Sequence, residues 1–274
     1  YDGETRAGQE NYLRQTVACN GRLLSAGLGV NTLIDDRYRL FHGVFGKLCT
    51  LSLESLADKF DLLCAFANEE SKKYYLKYYG WQVAATIQVY KKATRFSGFG
   101  PESLLSLIRP GGRSKMLSLV RTDEFDPDRL DPVIERYRLA AKHSYFHKTA
   151  AFLNWKFLRN SHYKISGYYL MASDRLLGYC LTYDTGIERR IIDLLIENDD
   201  RRVMAATLAT LSDMTRDDGL ARLVIHATPG CWYEKILRRH FFIRRWDFDF
   251  IARTMEGDLP VGPWIIHSGD FDMF

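Results

Sequence analysis

The feature of this sequence that most constrains the fold is an order of segments that occurs twice along the chain. Apolar residues three or four positions apart indicate helices, and short alternating or wholly apolar runs indicate strands. Both halves then have the order strand, strand, helix, strand, helix, strand, which predicts a mixed α/β protein. The segments predicted for the first half are strands 12–19 and 22–35, helix 47–60, strand 61–68, helix 69–80 and strand 81–92. Those that repeat this order in the second half are strands 176–184 and 189–197, helix 201–219, strand 221–228, helix 231–240 and strand 241–254. Before them we predict helices 131–143 and 150–160 and a strand 163–173, which forms a hairpin with 176–184.

The composition of residues 94–118 indicates a break between the two halves. This stretch contains six glycines or prolines, which interrupt regular structure. We therefore predict a first domain over 1–93, a linker over 94–130 and a second domain over 131–274. A single doubly wound sheet of unrelated topology would show the same alternation, and the sequence leaves that alternative open.

Composition and charge narrow the class of protein. Hydrophobic residues are 46% and charged residues 26% of the 274, which excludes a mainly disordered chain. No apolar run reaches the ~18 residues of a membrane helix, so we expect a cytoplasmic protein without a membrane span. The net charge of +4 suits an anionic co-substrate and does not indicate nucleic acid.

The five cysteines lack CxxC spacing, which favours reduced thiols over zinc or disulfides. Tyr1 is not an initiator residue, so a preceding segment is compatible with the sequence.

Three segments resemble the GNAT superfamily of acyltransferases. LIDDRYRLFHGVFGKL (33–48) is similar to the family's fourth strand and its Arg/Gln-x-x-Gly-x-Gly/Ala pyrophosphate loop. LLCAFANEESKKYYLKYYGW (62–81) is similar to the fifth strand, its Asn, and the helix that ends in Gly-aromatic. Residues 150–183 resemble the opening of the second half in tandem GNAT-like proteins, several of which occur with bacterial surface-polysaccharide genes. The resemblance implies two GNAT-like domains, each with a central mixed, mostly antiparallel sheet flanked by helices.

The resemblance also implies an acyl-CoA site in the first half. Backbone N–H groups at a helix start bind pyrophosphate where no side chain intervenes, and glycines permit that approach. The residues expected to bind acetyl-CoA or another acyl-CoA are Ile34, Arg39, His42, Gly43, Val44, Gly46, Lys47 and Asn68. Without the resemblance, an ordinary strand–helix loop explains residues 39–47 equally well, and a helix cap explains Asn68. The equivalent place in the second half, 197–204, has acidic residues and no glycine, so we expect only the first half to hold CoA.

Acyl transfer to an amine requires a base for the nucleophile and an acid for the leaving thiolate. Tyr75 lies on the second predicted helix, where the family's acid is usually found, and is the predicted acid. Glu54 is the predicted base, although spacing does not separate it from Asp35, Asp36 and His42. The competing interpretation of Tyr75 is that the tyrosine-rich helix packs its rings on the sheet.

Two features of the second half have two interpretations each. His226 lies at the end of a predicted strand, at the position that Asn68 has in the first half. It either faces an acceptor pocket or is an ordinary histidine at a strand end. The segment RRHFFIRRWDFDF (238–250) interleaves four arginines with aromatic residues. The mild net charge favours an outward arginine face over a nucleic-acid stripe.

With the resemblance, these features predict an acyl-CoA-dependent N-acyltransferase. A small amine, such as an amino sugar or nucleotide sugar, would attack the thioester directly in a ternary complex, and the second domain would shape the acceptor site. We expect no metal and no nucleic-acid partner. Two alternatives stay open: a degraded GNAT-fold binding or scaffold protein, and an acyltransferase whose donor is acyl carrier protein or aminoacyl-tRNA.

Overall fold

The structure is a computed structural model and describes residues 7–38, 42–95, 117–160, 162–258 and 263–271. The strands within these ranges are β1 (Gly8–Cys19), β2 (Arg22–Ile34), β3 (Leu62–Ala65), β4 (Gln82–Ala93), β5 (Ser118–Thr122), β6 (Ser144–Phe146), β7 (Ile165–Ala172), β8 (Arg175–Asp184), β9 (Glu188–Ile196), β10 (Arg222–Ala227), β11 (Ile243–Thr254) and β12 (Trp264–Ile265). The α-helices are α1 (His42–Leu56), α2 (Glu69–Tyr78), α3 (Pro127–Ala140), α4 (Ala150–Leu153), α5 (Arg201–Asp217) and α6 (Glu234–Arg239). A π-helical turn over Asn154–Leu158 continues α4.

All twelve strands belong to one sheet, in the order β12-β6-β1-β2-β3-β11-β4-β10-β9-β8-β7-β5. Most neighbours are antiparallel, and the parallel pairs are β2 with β3, β9 with β10, and β6 with β12. Helices pack against the sheet in both halves. The predicted fold class, a mixed and mostly antiparallel sheet flanked by helices, is confirmed.

Two strands are exchanged between the halves at the middle of the sheet. β4, from the first half, pairs with β10 of the second half. β11, from the second half, pairs with β3 of the first half, and β4 and β11 also pair with each other. Each half therefore completes its backbone hydrogen bonds with a strand of the other, and the sheet has no free edge at the seam.

The parallel pairs β2–β3 and β9–β10 each separate before the longer of their two strands ends. In the first half, the pairing of β2 with β3 ends at Gly29 and Ala65. In the second half, the pairing of β9 with β10 ends at Ile191 and Ile225. We call the spaces beyond these pairs the first gap and the second gap.

A β-bulge follows the last parallel pair in both halves. The register of β1 with β2 skips Val30, and that of β8 with β9 skips Ile192. A bulge bends its strand and re-aims its backbone groups. The two gaps are therefore equivalent places in the two halves, each beside a bent strand that continues for several residues, to Ile34 in β2 and Ile196 in β9.

The two faces of the sheet differ in the first half. α1 and α2 cover one face, packing with Leu63, Ala65 and Ile251. The opposite face carries a cluster that includes Phe250 and Ile266, of which Ile266 belongs to the C-terminal segment. This segment, 263–271, therefore lies on the face that the first-half helices leave free.

Several predicted boundaries are corrected by the structure. α1 begins at His42 and not at 47, so the second half of the predicted pyrophosphate loop is the start of a helix. β5 and the first turn of α3 lie inside the predicted linker 94–130, while 96–116 lie outside the described residues. β5, β6 and β12 were not predicted, because five residues or fewer show no period of their own and are strands only through their neighbours. The division into domains stays a prediction. In the described part of the chain, no helix has the length and apolarity needed to cross a bilayer.

Gly178 marks a close approach of β8 to β9, and its replacement is expected to be costly. Its φ is +156°, and a Cβ added there would lie 1.9 Å from the carbonyl oxygen of Leu195. Gly178→Ala must push the strands apart, so we expect the free energy of unfolding to fall by roughly 3 kcal/mol or more in urea denaturation. Gly186→Ala is the control, because Gly186 has φ +85° but a Cβ there would have no atom of the described ranges within 4 Å. Backbone strain alone predicts a loss of about 1 kcal/mol there, and equal losses at both positions would contradict the prediction.

Candidate functional site

The first gap leaves one edge of β2 without a strand partner. Beyond Gly29, β2 pairs with β1 only, so in the described part of the chain no strand bonds the other edge of Val30–Ile34. Backbone N–H and C=O groups on such an edge can bind a ligand that has amide groups. Ile34, predicted to contact the co-substrate, ends β2 and pairs with Gly8.

The start of α1 has the open backbone that an anion needs. Gly43 is exposed, and a Cβ at this position would meet no atom of the described residues within 4 Å. The first N–H groups of a helix have no partner inside the helix, so they point outward here. Lys47 is exposed one turn later, and Val44 is half-buried. Gly46 has another role, because a Cβ there would lie 2.9 Å from the hydroxyl oxygen of Tyr79.

The remaining predicted co-substrate residues are Asn68, Arg39 and His42. The side chain of Asn68 caps α2 and accepts a hydrogen bond of 2.9 Å from the Ser71 backbone N–H. This is the capping role that the sequence indicated, and a contact with pantetheine stays a prediction. Arg39 lies outside the described residues, as does the side chain of His42.

Tyr75 is buried beside the first gap and is bonded to a carboxylate. Its hydroxyl donates a hydrogen bond of 2.5 Å to Oε1 of Glu10. The other oxygen of Glu10 accepts a hydrogen bond of 2.6 Å from Ser52 on α1. Glu10 on β1 pairs with Thr32 on β2. Thr32 lies in the stretch of β2 whose other edge, towards β3, has no strand partner among the described residues. The Glu10–Tyr75 pair thus joins β1, α1 and α2 at the level of the gap.

The surroundings hold the proton on Tyr75. Burial and then the charge and hydrogen bond of Glu10 raise the pKa of Tyr75 well above its usual value. Burial and Glu10 raise the pKa of Tyr12 in the same way. Burial also raises the pKa of the nearby Cys49 thiol to about 12, so this thiol is protonated at neutral pH and is a poor nucleophile. A phenol and a carboxylate in short contact are the groups here that can hold or pass a proton.

The predicted base, Glu54, does not share this environment. Its side chain is exposed, and its position on α1 lies about 200° around the helix from Ser52. Glu54 as the base stays a prediction. Sequence reasoning missed Glu10, because residues 1–11 are mostly polar and do not by themselves indicate a strand. The signal that was present is the i, i+2 spacing of Glu10 and Tyr12, which puts both on one face of a strand.

The second gap is covered by the chain's own C-terminal segment. Gly269 lies against the bulge, and a Cβ there would be 2.7 Å from the carbonyl oxygen of Ile192. The Gly269 carbonyl accepts a hydrogen bond of 3.0 Å from Lys156. Ser268 donates a long hydrogen bond of 3.5 Å to the carbonyl of Ile191. The stretch of β9 that corresponds to the unpaired edge of β2 is therefore already in contact with protein.

A buried ionic group anchors this segment. Lys148 lies 2.9 Å from Oδ2 of Asp193 and 2.5 Å from Oδ1 of Asp270, and the three side chains are at most 4% exposed. Burial alone would lower the pKa of Lys148, but the two carboxylates outweigh it and raise that pKa. A cavity of about 20 Å³ adjoins the group, and Tyr145 and His267 each present a polar atom there that bonds to none of the described residues. That volume holds about one water molecule.

The start of α5 corresponds to the start of α1, and the carboxylate of Asp200 caps it. Oδ1 of Asp200 accepts hydrogen bonds of 2.7 Å from the Arg202 N–H and 3.2 Å from the Val203 N–H. Glu197, just before it, pairs with Arg136 and Arg175. A carboxylate therefore already bonds the first N–H groups of α5. That only the first half holds CoA stays a prediction.

His226 has a different equivalent from the one predicted. Counted from the last parallel pair of each half, His226 corresponds to Phe66 and not to Asn68. Its ring lies 6.1 Å from that of Phe248 and 5.6 Å from that of Phe271. Burial, with His267 and nearby cations, lowers its pKa to about 3, so it is neutral at physiological pH.

Comparison with solved structures identifies the fold. A GCN5-related N-acetyltransferase from Anabaena variabilis has a TM-score of 0.69 at 14% identity, over 93% of this chain and 62% of that one. A second, from Kribbella flavida, has a TM-score of 0.67 at 13% identity, over 93% and 59%. A probable N-acyltransferase from Enterococcus faecalis has a TM-score of 0.66 at 14% identity, over 93% and 60%. The chain has the GNAT fold.

The GNAT fold extends across both halves and the exchanged strands. The chain spans about three fifths of the length of these solved proteins. No protein-family model and no curated protein matches the sequence. Within the described ranges, no three His, Cys, Asp or Glu side chains are grouped so that they could hold a metal ion.

Proposed function

We propose that the chain is an acyl-CoA-dependent N-acyltransferase whose acyl-CoA site is the first gap. The observation that carries the proposal is the contrast between two equivalent gaps of one GNAT fold. Among the described residues, the first has a strand edge without a strand partner, with the buried Tyr75 bonded to the half-buried Glu10 beside it, and the second is covered by residues 263–271. The fold's solved neighbours, described as N-acetyltransferases or a probable N-acyltransferase, support the reaction class.

In this proposal acyl-CoA binds along β2 and at the start of α1. Gly43 leaves room for the pyrophosphate, the helix N-terminus favours its negative charge, and Lys47 adds a cation. The amides of pantetheine match the unpaired backbone groups of Val30–Ile34. Arg39, His42 and Asn68 are further contacts in the proposal.

The Glu10–Tyr75 pair accounts for the protons of acyl transfer. The amine must lose one proton, and the leaving thiolate must gain one. If Tyr75 alone gave its proton to sulfur, a phenolate would face the Glu10 carboxylate at 2.5 Å. Glu10 avoids this by taking the proton of the amine and passing it to Tyr75 as the phenol protonates the thiolate. The products are the amide and the free thiol, and the pair returns to its starting state.

The acceptor in this proposal is a small amine that enters from the face opposite α1 and α2 and reaches through the first gap, so that its nitrogen meets the thioester and Glu10 on the side of these helices. Phe66 of the first half and Phe248 of the second half line that face, so the acceptor contacts both halves. An amino sugar or nucleotide sugar, as in proteins of surface-polysaccharide synthesis, is the class that we propose.

Calorimetry with acetyl-CoA tests the proposed site. We expect micromolar binding by the wild type and a loss of at least ten-fold in Gly43→Glu, because a carboxylate would occupy the place of the pyrophosphate. Leu51→Glu is the matched control, since it adds the same charge to the same helix at a side chain that is 58% exposed. No binding of acetyl-CoA or of longer acyl-CoAs by the folded wild type would contradict the proposal and favour a carrier-protein donor, a tRNA donor or a binding protein.

A further inference from the structure

Three cations share one buried carboxylate on the sheet face opposite α1 and α2. Glu188, 6% exposed, accepts a hydrogen bond of 2.6 Å from Nζ of Lys91. Arg190 and Arg222 each approach it at 3.4 Å. One carboxylate neutralises one of the three cations, so two positive charges remain.

The strand register places these cations in one patch. Val224 on β10 pairs with Lys91 on β4 on one side and with Arg190 on β9 on the other. Side chains of directly paired residues share a face, and neighbouring strands are about 4.8 Å apart. Arg222 precedes Val224 by two residues and His226 follows it by two, so both lie on the same face.

Within the part of the chain that the structure describes, two buried nitrogens of this patch have no hydrogen-bond partner. They are Nε of Arg190 and Nδ1 of His226. Buried donors in folded proteins are nearly always bonded, and a guanidinium N–H requires an acceptor. Both atoms are therefore suited to an oxygen or nitrogen of a bound ligand.

An exposed indole borders the cations. Trp246 is 52% exposed, and Nζ of Lys91 lies 4.9 Å from the centre of its ring. The register of β11 with β4 skips from Arg244 to Asp247, so Trp246 sits on a bulge. A half-exposed indole beside cations is a platform on which a flat ring stacks while an attached anion meets the charges.

We propose that Lys91, Arg190 and Arg222, with Trp246, form a subsite for a nucleoside phosphate. The phosphate oxygens bind the two arginines, with one of them on Arg190 Nε, and the base stacks on Trp246. Assigning this ligand as the nucleotide part of the amine acceptor rests on the function proposed above. It is a different place from the acyl-CoA pyrophosphate site, which lies at the start of α1 on the opposite face of the sheet.

Titration with UDP tests the subsite. We expect saturable binding by calorimetry, with quenching of tryptophan fluorescence that is lost in Trp246→Phe. The double variant Arg190→Gln/Arg222→Gln should bind UDP at least ten-fold more weakly, while the 2.6 Å Lys91–Glu188 ion pair keeps the strands together. The control is Arg159→Gln/Arg238→Gln, which removes the same charge at two side chains that are each 66% exposed and should leave UDP affinity unchanged.

The outcomes separate the subsite from the proposed function. No UDP binding by the folded wild type, or equal binding by the Arg190/Arg222 variant, overturns the subsite. Pyrophosphate that binds as tightly as UDP overturns the role of Trp246. UDP affinity that is unchanged by saturating acetyl-CoA supports the acceptor assignment, and mutual competition overturns it. Loss of acetyl-CoA binding with UDP binding intact would count against the proposed function alone.

Discussion

Replacing Lys148 by methionine is expected to lower the free energy of unfolding by about 3–5 kcal/mol. The substitution removes the only cation within 3 Å of the Asp193 and Asp270 carboxylates that the described contacts show, and both carboxylates are nearly fully buried. Methionine fills a similar volume, so the loss reports the unpaired charges and not a cavity. Urea denaturation at pH 7 measures it.

The triple variant Lys148→Met/Asp193→Asn/Asp270→Asn is the control for this prediction. It removes the charges together, and we expect most of the stability to return, because a neutral buried group has no unpaired charge to desolvate. A loss below about 1 kcal/mol at pH 7 would mean that the ionic group does not hold residues 263–271 in place.

Tyr75→Phe is expected to lower kcat by roughly 10²–10⁴-fold, the usual contribution of a general acid, with little change in the KM for acetyl-CoA. The phenyl ring keeps the contact of 4.8 Å with Trp81, so the helix stays packed. Only the proton donor and its hydrogen bond to Glu10 are lost. The measurement is release of free CoA thiol with an amine that supports turnover.

The control for Tyr75 lies on the same helix. Tyr78 is 59% exposed, and Tyr78→Phe should leave kcat unchanged. Glu10→Gln should lower kcat to a similar extent as Tyr75→Phe, and the double variant should be no worse than either, because groups that act as a unit are not additive. A Tyr75→Phe enzyme with near wild-type kcat would leave Tyr75 as a packing residue, the competing interpretation of the sequence.

Local pattern was sufficient for most elements of this fold. The Asn20-Gly21 turn and the alternating residues around it predict the β1–β2 hairpin, and Asn68 predicts the start of α2. These features depend on contacts within a few residues, so the local sequence predicts them. The predicted start of α1 is five residues late. The glycines at 43 and 46 have low helix propensity and also fit the glycine-bearing pyrophosphate loop that the resemblance suggests. Packing overrides that propensity, as Phe45 contacts the ring of Tyr75 at 5.6 Å.

The candidate site was partly predictable. Tyr75 follows from its helix and the resemblance, whereas Glu10 becomes visible only when β1 extends to Gly8 and pairs with β2. A carboxylate 65 residues away in sequence has no local signal that ties it to a tyrosine. The cationic patch around Glu188 is of the same kind, since it draws one side chain each from β4, β9 and β10 around a single strand position.

The sequence by itself determined the elements, their repeated order and the contrast between a glycine at the start of α1 and carboxylates at the start of α5. These are set by backbone propensity and capping, which act over a few residues. Only the tertiary structure decided that β4 and β11 exchange partners and that residues 263–271 cover the second gap. It also decided that Glu10 meets Tyr75. These outcomes depend on which distant strands complete each other's hydrogen bonds and on which buried charges pair. Both are contacts between residues far apart in sequence, so no local sequence pattern predicts them.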